Sequence, residues 1–138
     1  MSNVEIFKKF MKENDFYQDE QHDDQGRFFR FRERLEDGGE VTLIVSFSKS
    51  EEIIELFFLD IATISDPLKK ESLHNFLNEI NSNFRFAKIF EYEGDIRVQY
   101  SYREKQNNLD PTILFDYIFL TIRQINEFYP KLMKIQWA

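Results

Sequence analysis

Residues 67–86 read PLKKESLHNFLNEINSNFRF, and the reading of this stretch decides the fold. Leu73, Phe76, Leu77, Ile80 and Phe84 recur at i, i+3, i+4, i+7 and i+11, which at about 100° per residue gathers them on one stripe of an α-helix. Such a stripe must be buried, and at roughly 1.5–3 kcal/mol per large apolar side chain it contributes on the order of 10 kcal/mol as an upper bound. Asp66 supplies an N-cap oxygen, and Pro67 follows where a missing N–H costs nothing. Three β-like segments precede this helix and two follow it, so it is expected to lie across the sheet they make.

Upstream, Ser2-Asn3-Val4-Glu5 matches a capping box, and Phe7, Phe10 and Met11 then repeat at helical spacing, predicting a first helix that ends near Asn14. The segment DFYQDEQHDDQG reads as an acidic, solvated connector with Phe16 and Tyr17 able to anchor its start. Its carboxylates, Asp15, Asp19, Glu20, Asp23 and Asp24, lack the frame of a calcium loop and its closing glutamate. From Arg27 the period changes to two, with Phe29 and Phe31 on one side and Phe28, Arg30, Arg32 and Arg34 on the other. Asp37-Gly38-Gly39 makes a hairpin turn, VTLIVSFS is the second strand, and Ile53–Ile61 is a third that is apolar on both sides, as a central strand or one covered on both faces would be.

Downstream, Phe86, Phe90 and Tyr92 alternate with Ala87, Ile89 and Glu91, the chain turns at Glu93-Gly94-Asp95, and Ile96, Val98, Tyr100 and Tyr102 alternate with Arg97, Gln99, Ser101 and Arg103. This is a second hairpin with one apolar and one wet face. Asp110-Pro111 repeats the cap-then-proline start of a last helix, which Pro130 ends or kinks before the tail KLMKIQWA. Beside its stripe of Leu114, Tyr117, Ile118, Ile125 and Phe128, this helix carries Phe115, Phe119 and Ile122, an apolar arc wider than a two-layer fold hides. Either the first helix or the tail covers that excess, or it is a subunit interface.

The expected fold is therefore α+β: a single two-layer domain over residues 1–138, ordered α-β-β-β-α-β-β-α, with a five-stranded antiparallel sheet packed with helices. The N-terminus has Glu5 and Lys8 where a signal peptide needs an uninterrupted apolar core, and the apolar runs elsewhere are too short to span a bilayer, so a soluble, cytoplasmic protein is expected. A net charge of −7 disfavours nucleic acid, whose binding works by phosphate neutralisation.

With His22 and His74 the only histidines and no cysteine, a zinc site of the usual kind cannot be assembled. The glycines Gly26, Gly38, Gly39 and Gly94 sit at turns and form no phosphate-binding loop, and neither a thiol nor a G-x-S-x-G nucleophile is present. No catalytic activity and no cofactor are expected. The feature above background is the strand face of Phe28, Arg30, Arg32 and Arg34, joined by Arg97 and Arg103 of the second hairpin. Either cross-strand carboxylates absorb these charges, or the face receives an acidic or extended peptide.

The element order resembles the secretion-chaperone-like fold shared by type III secretion chaperones and the YbjN family. LHNFLNEINSNFRFAKIFEYEGDIRVQY is similar to the YbjN-like helix that runs into an aromatic strand and hairpin, and FYPKLMKI is similar to their closing helix. The resemblance spans nearly the whole chain and implies small acidic homodimers without enzymatic activity. Its chaperone branch binds extended segments of exported proteins, and its YbjN branch is described as regulatory. Neither branch supplies a functional motif to carry over. The expected function is a non-catalytic, chaperone- or adaptor-like module that recognises a segment of another protein through Phe28, Arg30, Arg32 and Arg34, with Phe115, Phe119 and Ile122 at a dimer interface. A YbjN-type regulator or an immunity-type toxin inhibitor are the alternatives.

Overall fold

A computed structural model describes residues 1–16 and 19–138. Helix α1 (Asn3–Glu13) leads into strands β1 (Glu20–Asp23), β2 (Gly26–Arg34), β3 (Glu40–Ser48) and β4 (Ile53–Thr63). A turn of 3-10 helix (Pro67–Lys69) then opens α2 (Lys70–Asn83), followed by β5 (Lys88–Tyr92), β6 (Asp95–Arg103) and α3 (Pro111–Trp137). The strands form one antiparallel sheet in the order β1-β2-β3-β4-β6-β5, so the second hairpin docks on β4 through its later strand.

The sheet has six strands rather than the expected five. The addition is β1, which lies in the acidic segment read as a connector. All four of its residues are exposed, so no apolar pattern announces it. Its pairing with β2 is set by a tight turn in which Asp23 Oδ1 accepts from the N–H groups of Gln25 and Gly26. Gly26 has φ of +146°, and a Cβ there would lie 2.0 Å from the Phe47 carbonyl oxygen. Tyr17, expected to anchor this segment, lies outside the described residues, whereas Phe16 stacks on Phe115 at 5.2 Å.

All three helices cover the same face of the sheet. Val41, Leu43, Val45 and Phe47 of β3, Ile54, Leu56 and Phe58 of β4, and Ile96, Val98 and Tyr100 of β6 are buried beneath them. Phe7 of α1 sits 5.0 Å from Phe29 and 5.3 Å from Phe47, and Tyr117 of α3 stacks on Tyr100 at 4.9 Å. From α2, Leu73 and Leu77 are buried, with Phe76, Ile80 and Phe84 half-buried against the same core. Strand β4, expected to be central or covered on both faces, is central and covered on one. The apolar outer side of β4 is left uncovered, with Ile53 exposed and Phe57 and Leu59 half-buried.

Two asparagines tie the helices down. Asn3, 1% exposed, donates from Nδ2 to the carbonyls of Glu51 and Lys105 at 2.8 and 2.9 Å, while its Oδ1 accepts from the N–H groups of Asn108 and Leu109, both at 3.0 Å. One side chain thereby joins α1, the β3–β4 turn and the loop before α3. Asn81 of α2 makes a two-way bond with Ile89 on the edge strand β5, donating to its carbonyl and accepting from its N–H, each at 2.8 Å. The N-terminus of α1 is capped locally by Ser2 and across the fold by Glu51, whose Oε1 accepts from the Val4 N–H.

Of the two expected effects of Pro130, ending the last helix is not seen; α3 continues through it to Trp137. An interior proline costs about 3 kcal/mol. Burial of Leu132 beyond it offsets that cost, as do the anchoring of Gln136 Nε2 on the Thr63 carbonyl at 2.9 Å and of Lys69 on the Gln136 carbonyl. Among the described residues no helix is long and apolar enough to cross a membrane.

Candidate functional site

Because every described helix lies on one side, the opposite face of the sheet is left without a covering layer. Its rows follow from the strand register. Gln21 (β1), Phe28 (β2), Ser46 (β3), Glu55 (β4) and Ser101 (β6) lie side by side; next come Arg30, Ile44, Phe57, Gln99 and Lys88, the last on β5. Arg32, Thr42 and Leu59 form a third row, and Arg97 opposes Phe90 on the far hairpin. None of these side chains is buried. Along the middle run Ile44, Phe57 and Leu59, half-buried by one another and by their polar neighbours.

Basic residues border that apolar strip on both sides. On β2, Arg30, Arg32 and Arg34 are exposed. Arg32 makes a loose contact with Glu40 at 3.3 Å, between side chains that are both more than half exposed. Pairs of this kind contribute about 0–1 kcal/mol and leave the guanidinium free to change partner. Arg30 and Arg34 make no ion pair among the described residues, and neither does Arg103 on the other border. Arg97 donates to Asp95 at 2.7 Å and lies 4.8 Å over the Tyr92 ring, while Lys88 stands 5.8 Å from the Phe90 ring. The carboxylates on this face have their own attachments, Glu55 accepting from Gln99 and Ser101 and Asp60 from Thr42.

The expected site residues are therefore brought together in part. Phe28, Arg30, Arg32 and Arg34 do share an exposed face, with Arg97 and Arg103 across it. Sequence reasoning missed Ile44, Phe57 and Leu59 as its centre, and Phe90 and Tyr92 as its far aromatic border. A signal for the last two was available. The tight Glu93-Gly94 turn, with φ of 51° and 86°, sets Tyr92 opposite Asp95 and Phe90 opposite Arg97, and so assigns both rings to the arginine side.

The dimer-interface triad is split. Phe115 is 7% exposed because α1 and its exit lie on it, with Phe7, Phe10 and Phe16 at 5.8, 5.1 and 5.2 Å, so its part of the wide arc is absorbed within the chain. Ile122 is half-buried, and Phe119 is 54% exposed.

Remaining polar groups serve the fold. Glu91 binds Lys70, His74 at 2.7 Å and the Gly94 N–H at 3.0 Å, and the Lys70 hydrogen bond leads in holding its carboxyl below the usual range. Burial pushes the Tyr100 phenol up to about 12, helped by Tyr117, on the covered side of the sheet. Among the described residues no cluster of three or more His, Cys, Asp or Glu side chains is placed to hold a metal.

Geometry and topology together define a two-layer α+β domain with three helices on one side of an open six-stranded sheet. In that respect it is similar to YbjN from E. coli, described as a candidate transcription regulator; the two structures align with a TM-score of 0.58 over 90% of this chain and 86% of that one, at 11% sequence identity. At that identity the likeness is one of fold. No family model and no curated protein matches the chain by sequence.

Proposed function

We propose that the chain is a non-catalytic protein-binding module, chaperone- or adaptor-like, acting in the cytoplasm without a cofactor and recognising a segment of another protein on the open face of its sheet. The observation that carries this reading is the coincidence of an uncovered apolar strip, Ile44, Phe57 and Leu59, with three arginines, Arg30, Arg34 and Arg103, that make no ion pair among the described residues. Binding hot spots favour an apolar anchor beside an arginine, whose flat donor fork suits carboxylates and backbone carbonyls. An acidic chain that concentrates arginine on one face favours a protein ligand over nucleic acid, since its overall field repels a polyanion.

The test is a pull-down with tagged protein from its own host, repeated with the double variant Arg30→Glu/Arg34→Glu. Loss of the dominant co-purifying protein at unchanged thermal stability supports the reading; equal recovery removes the open face from it. A second reading, a regulatory role of the YbjN type, draws on the fold likeness alone and also works through protein contacts. Homodimerisation belongs to the same proposal, its support being the exposed Phe119 beside Leu120 and Ile113 on α3. Light scattering at micromolar concentration is expected to report about twice the chain mass, and Phe119→Ser to lower it; a wild-type monomer would withdraw the dimer.

A further inference from the structure

We infer that the open face receives an amphipathic α-helix with acidic flanks, contributed by a partner protein and laid along β3 and β4. This rests on the protein-binding reading above and specifies its ligand. The covered face of the same sheet already shows what suits it: strands backed by helices, with the layers joined through alternate side chains.

The dimensions of the bare face match one more helix. Arg30 on β2 and Lys88 on β5 end one row whose interior is Ile44, Phe57 and Gln99, so four strand spacings of about 4.8 Å put the two backbones on the order of 19 Å apart. A helix with its side chains is about 10–12 Å across, which leaves room on each side for an arginine or lysine to reach up to it. Lengthwise, β3 and β4 run side by side over six residues, Thr42–Phe47 against Ile54–Leu59, before β4 bulges between Phe58 and Ala62, which gives about 20 Å of strand, the length of about 13 residues of helix.

Chemistry points the same way. The floor centres on Ile44, Phe57 and Leu59, half-buried beside Thr42, Ser46 and Glu55, a patch that takes the apolar stripe of a helix, while the two walls carry Arg30, Arg32 and Arg34 on one side and Lys88, Arg97 and Arg103 on the other. A single extended strand, about 5 Å wide in the plane of a sheet, would meet one wall at a time. A helix with glutamates on both flanks of its stripe meets both at once. Strand addition at the β5 edge is also obstructed near its start, where Asn81 occupies both backbone groups of Ile89. The cost of docking a helix is limited to ordering it, because the receiving surface is already rigid sheet.

The experiment uses the full chain and three labelled synthetic peptides of about 18 residues. One is amphipathic with a Leu/Ile stripe and Glu flanks, one has the same composition scrambled so that no stripe exists, and one has the stripe kept and every Glu replaced by Lys. Fluorescence anisotropy gives affinity, circular dichroism gives induced helix, and amide and methyl NMR shifts locate the site. The acidic amphipathic peptide is expected to bind, gain helix and shift Ile44, Phe57 and Leu59. Arg30→Glu/Arg103→Glu, one cation from each wall without an ion pair among the described residues, should weaken it by about ten-fold, and both other peptides should bind more weakly still.

Equal binding of the scrambled acidic peptide on the same face would overturn the helix and leave the protein-binding reading standing. Shifts confined to another surface, or tighter binding of a single-stranded oligonucleotide to this one, would overturn both. Absence of binding by any peptide up to about 1 mM, with the pull-down partner still sensitive to Arg30→Glu/Arg34→Glu, would overturn the helix alone.

Discussion

Replacing Asn3 with alanine removes four hydrogen bonds at once, two donated by Nδ2 to the Glu51 and Lys105 carbonyls and two accepted by Oδ1 from Asn108 and Leu109. A net contribution of about 0.5–1.5 kcal/mol each gives about 2–6 kcal/mol, and the upper half applies because the side chain is 1% exposed, so water cannot replace it without a cavity. Against a typical total of about 5–15 kcal/mol, that is a large fraction of the stability of the fold. Asn3→Asp separates hydrogen bonding from packing. It preserves shape and the acceptor, but turns the donor into a second oxygen facing two carbonyls. Burial raises the folded pKa of the introduced carboxyl above its unfolded value, so the ionised form destabilises at neutral pH and stability recovers as pH falls through the folded value. Urea unfolding at pH 7 and at about pH 4.5 is the assay. Asn3→Ala should lose about 4 kcal/mol, and Asn3→Asp should gain on the wild type on acidification. A loss under about 1 kcal/mol for Asn3→Ala would refute the four-bond junction.

Leu77→Ala in α2 deletes a side chain 5% exposed and should cost about 2–5 kcal/mol in the same assay. Asn81→Leu should cost about 1–3 kcal/mol for its two bonds to Ile89 and add concentration-dependent association in sedimentation velocity, read against wild type. Glu91→Gln should lower the thermal midpoint at pH 7. Because the folded carboxyl titrates below its ordinary 4.5, the gap from wild type should stay full above that pH and close as pH falls through the lower folded value. Glu33, raised by desolvation, should respond in the opposite sense, Glu33→Gln holding or lifting the midpoint at pH 7.

Much of this architecture is legible in the residues. The stripe from Leu73 to Phe84, both hairpins, both cap-then-proline starts and the side of β2 that carries arginine follow from periodicity and turn chemistry, because each is a local signal repeated over several residues. What was hidden depends on partners distant in sequence. Strand β1 has no apolar face and exists through backbone pairing with Gly26–Phe29. The passage of α3 through Pro130 depends on Thr63 and Lys69, more than sixty residues away. Ile53, Phe57 and Leu59 look the same in sequence whether a layer covers them or not, so the open face at the centre of the candidate site is a fact of tertiary packing. Phe115 illustrates the converse: its place in a wide arc was readable, and of the covers the sequence offered it is the first helix, with Phe7 and Phe10, and Phe16 beyond it that close over the ring.

The Asn81–Ile89 bond also limits the ways in which this sheet can polymerise. A six-stranded antiparallel sheet bare on one side is a template for amyloid-like stacking wherever a rim strand offers a free run of N–H and C=O groups. Here one rim is plugged at Ile89, near its start, by a side-chain amide that mimics a neighbouring strand, and the other is a four-residue acidic strand whose carboxylates repel a copy of themselves. With growth along the hydrogen-bond direction hindered at both margins, the sheet can leave one face bare without recruiting its own kind into fibres.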